Sequence, residues 1–155
     1  MRIDYLADQP KLVGPIAAGL LEHYRAILPE ETFQTRTAKL TAHFNRDRLP
    51  IAWVAHASGE ALGTAALRIH DLPGREDLTP WLGGMFTLPP HRGQGIGAAL
   101  CAVVEEKALA LGVSMLYLVT LDRQAWYRRL GWRVLERCTW RGLPGDIMFK
   151  MLNAG

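Results

Sequence analysis

The sequence has little that would assign it to a specialised class of protein. Only two of its 155 residues are cysteines, Cys101 and Cys138, and they form no C-x-x-C pair. Cys101 lies within an apolar helical pattern, where a reduced and buried thiol is the expected state. No metal site is predicted.

Long apolar runs and one-sided charge are absent too. No window approaches the roughly 20 apolar residues that a membrane-spanning helix needs, and the first residues, MRIDYLADQPKLVG, lack the apolar stretch of a signal peptide. A cytoplasmic protein without a membrane partner is therefore expected. The formal net charge is only +3, with both signs mixed along the chain. Nucleic acid is not an expected partner, because its binding usually needs a clustered basic face.

What is present is the composition of an ordinary globular domain. Apolar residues make up 49% and charged residues 21% of the chain, both close to globular averages. Neither a repeat nor a low-complexity tract occurs, and the length suits one domain over residues 1–155.

Hydrophobic periodicity predicts a mixed α+β order of elements. Helical spacing of apolar residues indicates helices over 10–28, 32–45, 95–111 and 123–130. Strands are predicted at 2–7, 51–57, 60–69, 81–88, 114–121, 132–138 and 146–152, with a hairpin turn at Ser58-Gly59. The unit over 81–121 is expected to be a right-handed parallel crossover.

Individual residues sharpen this prediction. The Gly83-Gly84 pair indicates a bulge or a close backbone approach, and Asp122 is a candidate N-cap of the short helix. Residues 114–121 are apolar on both faces, which is typical of a central strand flanked by helices. The predicted helix anchors are Phe33, Leu40 and Phe44 in the second helix, and Ile96, Leu100, Val103, Val104 and Leu111 in the third.

The stretch PPHRGQGIGAAL, residues 89–100, is the most informative in the chain. A glycine-rich turn entering a helix exposes backbone N–H groups that have no partner in the helix and lie at the positive end of its dipole. Phosphate groups bind at such positions. Gly93, Gly95 and Gly97 are expected to let the chain curl around such a group, with Arg92 as a nearby cation. The pattern therefore predicts a phosphate cradle.

Two phosphate-binding classes fit this stretch poorly. A nucleotide-triphosphate P-loop requires Lys and then Ser or Thr after its last glycine, but Ala98 and Ala99 stand there. Gly93, Gly95 and Ala98 do satisfy the dinucleotide pattern G-x-G-x-x-A. However, two prolines, a His and an Arg separate the glycines from the strand, and Asp122 comes too late to be the acidic residue that closes the next strand. The dinucleotide class stays open as a minor alternative.

A third class is identified by resemblance. Residues 92–98, RGQGIGA, resemble the acetyl-CoA signature Gln/Arg-x-x-Gly-x-Gly/Ala of the GNAT superfamily of N-acetyltransferases. The preceding GGMFTLPPHRG resembles that family's fourth strand, and WYRRLGWR at 126–133 resembles its recurrent Phe/Tyr-Tyr-x-x-x-Gly-Phe block. The resemblance is specific over about residues 81–134. It implies one domain with a central mixed, mostly antiparallel sheet of about six to seven strands, flanked by about four helices.

The resemblance also implies a binding site for acetyl-CoA. Backbone N–H groups of residues 94–98 would hold the pyrophosphate, and the main chain of Phe86 and Thr87 would hydrogen-bond the pantetheine arm. The family usually has valine where Thr87 stands, which matters little because backbone atoms make the contacts. The implied cofactor-binding residues are Phe86, Thr87, Arg92, Gly93, Gln94, Gly95, Ile96, Gly97 and Ala98.

Tyr127 matches the family's tyrosine, whose hydroxyl can protonate the departing thiolate. A phenol with a reference pKa of about 10 is protonated at neutral pH and close enough to a thiol in pKa to donate. The alternative is an aromatic ring that only packs its helix onto the sheet.

The general base and the acceptor site are less defined. Many family members carry a glutamate on the fourth strand, but this chain has WLGGM there. The candidate bases are His23, Glu22, His70, Asp71, Glu76 and Asp77, with His23 expected to be structural or solvent-facing. The candidates for lining an acceptor groove are Trp81, Tyr24, Asp71, Glu76 and Asp77. Such a groove would suit a cationic amine, for example a polyamine, an aminoglycoside or a peptide N-terminus. The alternative is that these acidic side chains are simply solvated.

The implied function is transfer of an acetyl group from acetyl-CoA to a primary amine of a small molecule or peptide, by direct attack. The alternative is a GNAT-like acyl-CoA-binding sensor or partner-binding module without turnover. The pattern does not distinguish acetyl-CoA from a longer acyl-CoA. A homodimer is an expectation from the family alone.

Overall fold

The computed structural model describes residues 1–153. Within that range the chain forms seven strands and four α-helices. They are β1 (Arg2–Tyr5), α1 (Val13–His23), α2 (Phe33–Thr41), β2 (Ile51–Ala57), β3 (Glu60–Arg68), β4 (Trp81–Thr87), α3 (Ile96–Ala110), β5 (Met115–Thr120), α4 (Gln124–Arg129), β6 (Arg133–Trp140) and β7 (Leu143–Met151). The predicted fold class is confirmed. The last two residues of the predicted domain lie outside the described range.

All the strands belong to one sheet with the order β1-β2-β3-β4-β5-β7-β6. Neighbouring strands are antiparallel except for β4 and β5, which run parallel and are connected through α3, as predicted. These two strands pair only where Trp81 lies opposite Tyr117. Beyond that pair β4 and β5 form no further residue pairs, so the sheet is split towards their carboxyl ends.

The core has one layer on each face of the sheet. Leu100 and Val104 of α3 pack against Leu116, Leu118 and Met148 on one face. The opposite face is covered by α1 and α2; its buried residues include Ile16, Leu20, Leu40, Val54, Ala66 and Phe86. Residues 114–121 were predicted to be buried on both faces, but in β5 burial alternates and only the α3 face is fully covered.

The bulge predicted at the paired glycines is present. Ala66 lies opposite Gly83 and Thr64 opposite Phe86, so β4 has one residue more than β3 between the two pairs. Gly84 has a φ of +58°, a conformation that side-chain-bearing residues rarely adopt. The bulge bends β4 at the point where the sheet splits.

Several boundaries and anchors differ from the predictions. Residues 10–12 form a separate 3₁₀ turn, and α1 ends at His23 rather than at residue 28. Phe33 is the first residue of α2, directly after the capping box of Thr32 and Thr35, and its side chain is exposed. Leu111 is also exposed, because α3 ends at Ala110.

The predicted cap of the short helix is wrong. Arg123 occupies the N-cap position of α4, and its backbone N–H donates to Thr120 Oγ1 at 2.9 Å. The strands β6 and β7 are longer than predicted, because Arg141 and Gly142 both take positive φ angles and form a tight hairpin turn. Cys101 is buried as predicted, and burial raises the pKa of its thiol to about 12.

No helix among residues 1–153 is both long enough and apolar enough to cross a bilayer.

Candidate active site

The first turn of α3 is the centre of the predicted phosphate cradle. Gly93 and Gly95 have φ angles of +78° and +80°, so the predicted curl is present. The carbonyl of Gly95 accepts the N–H of Ala99 at 3.1 Å, which starts the helix. No side chain caps this N-terminus. The backbone N–H groups of the first turn therefore stay available to an anion.

Gly97 contributes in a different way from the other two glycines. It lies inside α3 rather than in the curl, and a Cβ atom on it would lie 3.1 Å from the ring of Trp126. The missing side chain therefore lets α4 pack closely against the first turn of α3. This packing fixes the cradle beside the block that contains Tyr127.

Arg92 lies at the end of β4. Its Nε donates to the carbonyl oxygen of Thr87 at 3.1 Å, and its guanidinium lies 5.8 Å from the ring centre of Phe86. Thr87 is in register with Gly63 of β3. Phe86 is buried against α1, where the absence of a side chain on Gly19 makes room for its ring. Gln94 is exposed beside Arg92.

Tyr127 lies on α4 with its ring buried between two tryptophans. The ring centres of Trp126 and Trp132 are 4.9 and 6.2 Å away, both in edge-on arrangements. Burial raises the pKa of the phenol, so the hydroxyl is protonated at neutral pH. The causes of this pKa shift include no hydrogen bond to another described residue, so the hydroxyl proton is available to a ligand.

The residues predicted as bases or as groove lining do not lie together in the structure. Glu22 pairs with Arg25 at 2.7 Å, and Asp77 with Arg75 at 3.0 Å, both at the surface. His70 and Glu76 are exposed as well. Trp81 is fully buried and donates from its indole N–H to the carbonyl of Leu78 at 2.7 Å. The prediction that Trp81 lines a groove is therefore wrong, because its ring belongs to the core under the β3–β4 loop.

His23 is the last residue of α1 and lies beside Phe86, near the carboxyl end of β4. Its ring centre lies 5.1 Å from that of Phe86. Burial lowers the pKa of the imidazole, and the positive charge of Arg92 lowers it further. The ring is therefore neutral at neutral pH, and its outer edge is exposed, in line with the expected structural or solvent-facing role.

Asp71 is the candidate that reaches the bulged part of β4. Its Oδ1 accepts from Arg68 Nη1 at 2.9 Å. Its Oδ2 lies 2.9 Å from the position that a Cβ atom on Gly83 would occupy. A side chain on Gly84 would likewise meet Arg68 Nη2, at 2.8 Å. The ion pair thus covers the two glycines on the face that α1 and α2 occupy.

Arg68 is itself held by a residue that the sequence analysis missed. Its Nε donates to Nε2 of His43 at 2.9 Å, and His43 Nδ1 donates to the carbonyl of Lys39 at 2.6 Å. Burial and the adjacent guanidinium lower the pKa of His43 to about 4. The imidazole is therefore a neutral acceptor at neutral pH. Nothing in the spacing of the sequence indicates that residues 43 and 68 meet.

An aromatic pair lies on the same face as the ion pair. The ring centres of Tyr24 and Trp140 are 6.1 Å apart, edge to face, and burial raises the pKa of the Tyr24 phenol. The turn after β6 is tied to the segment after α1, because Arg141 Nε donates to the carbonyl of Ile27 at 3.1 Å. Tyr24 was predicted to line this region, whereas Trp140 was missed.

Among residues 1–153 no three His, Cys, Asp or Glu side chains are grouped closely enough to hold a metal ion.

The seven strands form one sheet, and α3 begins without a side-chain cap directly after a left-handed glycine. These features define an α+β protein with free backbone N–H groups at the start of that helix. The model of the acetyltransferase (GNAT) family matches residues 17–132. The chain therefore belongs to the GNAT family of acetyltransferases.

Solved structures with the same fold extend this comparison. An aminoglycoside 6'-acetyltransferase type Ii is 20% identical, with a TM-score of 0.75 and coverage of 100% of this chain and 99% of that one. An aminoglycoside 6'-N-acetyltransferase in complex with coenzyme A is 18% identical, with a TM-score of 0.69 and coverage of 100% and 99%. A putative acetyltransferase from Salmonella typhimurium with acetyl-CoA is 18% identical, with a TM-score of 0.70 and coverage of 100% and 95%. At these identities the likeness establishes the fold. No curated protein sequence matches the chain.

Proposed function

We propose that the chain transfers an acetyl group from acetyl-CoA to a primary amine of a small molecule or peptide. The observation that carries this proposal is the start of α3. Its N-terminus has no side-chain cap and follows two left-handed glycines at the open end of the split between β4 and β5.

The donor follows from the family and from the shape of the cradle. The GNAT family uses acetyl-CoA, and two similar solved structures contain coenzyme A or acetyl-CoA. In this chain the backbone N–H groups of residues 94–98 hold the pyrophosphate, where the helix dipole favours negative charge. Arg92, with Gly93 shaping the turn, adds a cation at the same place.

The split in the sheet suits the pantetheine arm. Past Trp81 the edge of β4 that faces β5 has no strand partner within the described chain. A strand edge of this kind offers N–H and C=O groups to an extended ligand. We place the arm along Phe86 and Thr87, so that it runs from the cradle towards the pair of Trp81 and Tyr117.

The reaction needs few groups from the protein. Acetyl-CoA supplies an activated thioester, and the neutral amine attacks its carbonyl carbon. Tyr127 donates its hydroxyl proton to the leaving sulfur, since burial keeps the phenol protonated. The rival function, acyl-CoA binding without turnover, has one observation in its favour: Gly83 and Gly84 leave the bulge of β4 without a carboxylate of its own.

The first experiment is thermal unfolding with acetyl-CoA, using NAD and ATP as controls. A ligand present at about 100 times its dissociation constant adds about 2.7 kcal/mol of stability. We expect acetyl-CoA to raise the midpoint of thermal unfolding. NAD and ATP should leave the midpoint unchanged. A shift with NAD alone would contradict the proposed cradle and favour the dinucleotide alternative.

The second experiment measures release of the coenzyme A thiol with a panel of amines: an aminoglycoside, a polyamine and a peptide with a free N-terminus. Amine-dependent release supports an acetyltransferase. Tight acetyl-CoA binding without release on any amine would favour the sensor alternative.

A further inference from the structure

The carboxylate of Asp71 occupies the space that a side chain at Gly83 of β4 would otherwise fill. Its Oδ2 lies 2.9 Å from the position of a Cβ on Gly83. Gly83 is in regular register with Ala66, immediately before the bulge. The β3–β4 loop therefore delivers a carboxylate to the bulge that the strand itself lacks.

The carboxylate is held in one orientation by a chain of contacts. Arg68 Nη1 donates to Asp71 Oδ1, and the same guanidinium donates through Nε to the neutral His43. Oδ2 has no hydrogen-bond partner among residues 1–153. The side chain of Asp71 is 18% exposed, so this oxygen is shielded but reachable. The arrangement fixes one oxygen and leaves the other to a ligand.

The position along β4 distinguishes Asp71 from His23. His23 lies beside Phe86, near the cradle, whereas Asp71 lies beside Gly83. Gly83 and Phe86 are three residues apart, which is about 10 Å in a regular strand and less across the bulge. An arm that starts at the cradle and runs along β4 would bring its far end, with the thioester, towards Gly83. The reacting carbonyl would then lie nearer to Asp71 than to His23.

We infer that Asp71 is the base that takes a proton from the acceptor amine, and that Arg68 is the residue that positions it. This inference rests on the proposed function. The ammonium group loses two protons as it becomes an amide. One passes from nitrogen to Asp71 Oδ2 and then to solvent. The nitrogen lone pair attacks the thioester carbon, the C–S bond breaks, and the second proton reaches the sulfur by way of the Tyr127 hydroxyl.

Other charged and titratable groups face this site from the surrounding elements. Arg68 comes from β3 and Tyr24 from the end of α1. Arg36 comes from α2 and His43 from the segment after it, with His70 beside Asp71 in the loop. Among these, His43 is committed to Arg68, and Arg36 donates to Glu31 at 2.6 Å. Asp71 Oδ2 is the free acceptor that points to β4.

The test compares Asp71→Asn with the unaltered protein across pH, using an amine that the unaltered protein acetylates. We expect Asp71→Asn to lower kcat/KM for the amine by about 100-fold at about pH 7. The deficit should shrink at higher pH, because the neutral fraction of the free amine rises about tenfold per pH unit below its pKa. Binding of acetyl-CoA, read from thermal unfolding, should be unchanged.

Three further variants serve as controls and as a test of Arg68. Asp47→Asn makes the same chemical change at a side chain that is 96% exposed and remote from β4, and it should behave like the unaltered protein. His23→Gln should retain most of the activity. Arg68→Lys should give a smaller deficit with the same pH pattern as Asp71→Asn, because the carboxylate remains but loses its orientation.

Three outcomes would overturn the inference. If Asp71→Asn matches the unaltered protein, or if its deficit is the same at every pH, Asp71 does not act as the base. If His23→Gln shows the pH-dependent loss instead, the base is His23. If the unaltered protein binds acetyl-CoA but releases no thiol with any amine, the proposed function fails and the role of Asp71 fails with it.

Discussion

Arg68 donates from Nε to Nε2 of His43 at 2.9 Å, so His43 acts as a neutral acceptor beneath the β3–β4 loop. The imidazole is 8% exposed, and burial together with the positive charge of Arg68 lowers its pKa from 6.5 to about 4. Protonation of His43 would place two cations side by side in the protein interior.

The first prediction concerns stability against pH. Between pH 6.5 and about 4 the unfolded chain protonates His43 and the folded chain does not. The unfolded state then binds more protons, so the free energy of unfolding falls as the pH falls, by about 3 kcal/mol over the whole window. Urea unfolding at several pH values measures this slope. In His43→Gln this part of the slope should be missing.

The exposed His70 offers the matched control. His70→Gln should keep the slope of the unaltered protein, because His70 is exposed and its replacement leaves the contact between Arg68 and His43 in place. An unchanged slope in His43→Gln would show that another group is responsible.

A second prediction compares two glycines of helix N-terminal turns. Gly95 has a φ of +80°, whereas Gly14 lies in the first turn of α1 with no heavy atom within 4 Å of its Cβ position. Gly95→Ala should destabilise the protein by about 1–2 kcal/mol and reduce the shift with acetyl-CoA, since a left-handed conformation is costly for alanine. Gly14→Ala should stabilise by about 0.5–1 kcal/mol, since alanine is the better helix former. Thermal and urea unfolding with and without acetyl-CoA measure both effects, and equal behaviour of the two variants would contradict the role given to Gly95.

A third prediction concerns Tyr127. Tyr127→Phe should lower kcat by about 100-fold, because proton donation to the leaving sulfur is lost. The stability should change by less than about 0.5 kcal/mol, because no described residue forms a hydrogen bond with the hydroxyl that the variant would lose. Thiol release and urea unfolding measure the two quantities.

Tyr5→Phe is the control for this variant. Tyr5 lies at the far edge of the sheet, 5.7 Å from the ring of Trp53, and its variant should keep full activity. If Tyr127→Phe also keeps full activity, the ring serves only to pack α4 onto the sheet.

A fourth prediction contrasts two leucines that the sequence placed on one helical stripe. Leu100 is fully buried under the sheet, while Leu111 is 41% exposed. Leu100→Ala should lower the free energy of unfolding by about 2–5 kcal/mol, because it removes packed atoms and leaves a cavity. Leu111→Ala should cost less than about 1 kcal/mol. Similar losses in the two variants, measured by urea unfolding, would mean that Leu111 packs in solution.

The sequence by itself determined most helices and strands and the glycine turn that precedes α3. The left-handed positions of Gly93 and Gly95, the bulge at Gly83-Gly84 and the crossover from β4 to β5 all follow from local backbone preferences, which a short stretch of sequence carries. The predicted boundaries of helices and strands were less accurate where tertiary contacts compete with the local sequence pattern. Asp122 has the chemistry of a helix cap, but Thr120, at the end of a sheet strand, makes the contact with Arg123 instead.

Only the tertiary structure decided which polar groups face the bulge. The sequence offers six candidate bases and sets only His23 apart, as structural or solvent-facing. It does not rank the other five, because order along the chain carries no information on distance across the sheet. The fold brings together Asp71 from a loop, Arg68 from β3, His43 from the segment after α2 and Gly83 from β4. It also buries Trp81 and turns Asp77 outwards, towards Arg75. Local propensity thus specified the glycine turn before α3, where we propose that the phosphates bind, whereas the proposed amine site depends on side chains that meet only once the sheet has formed.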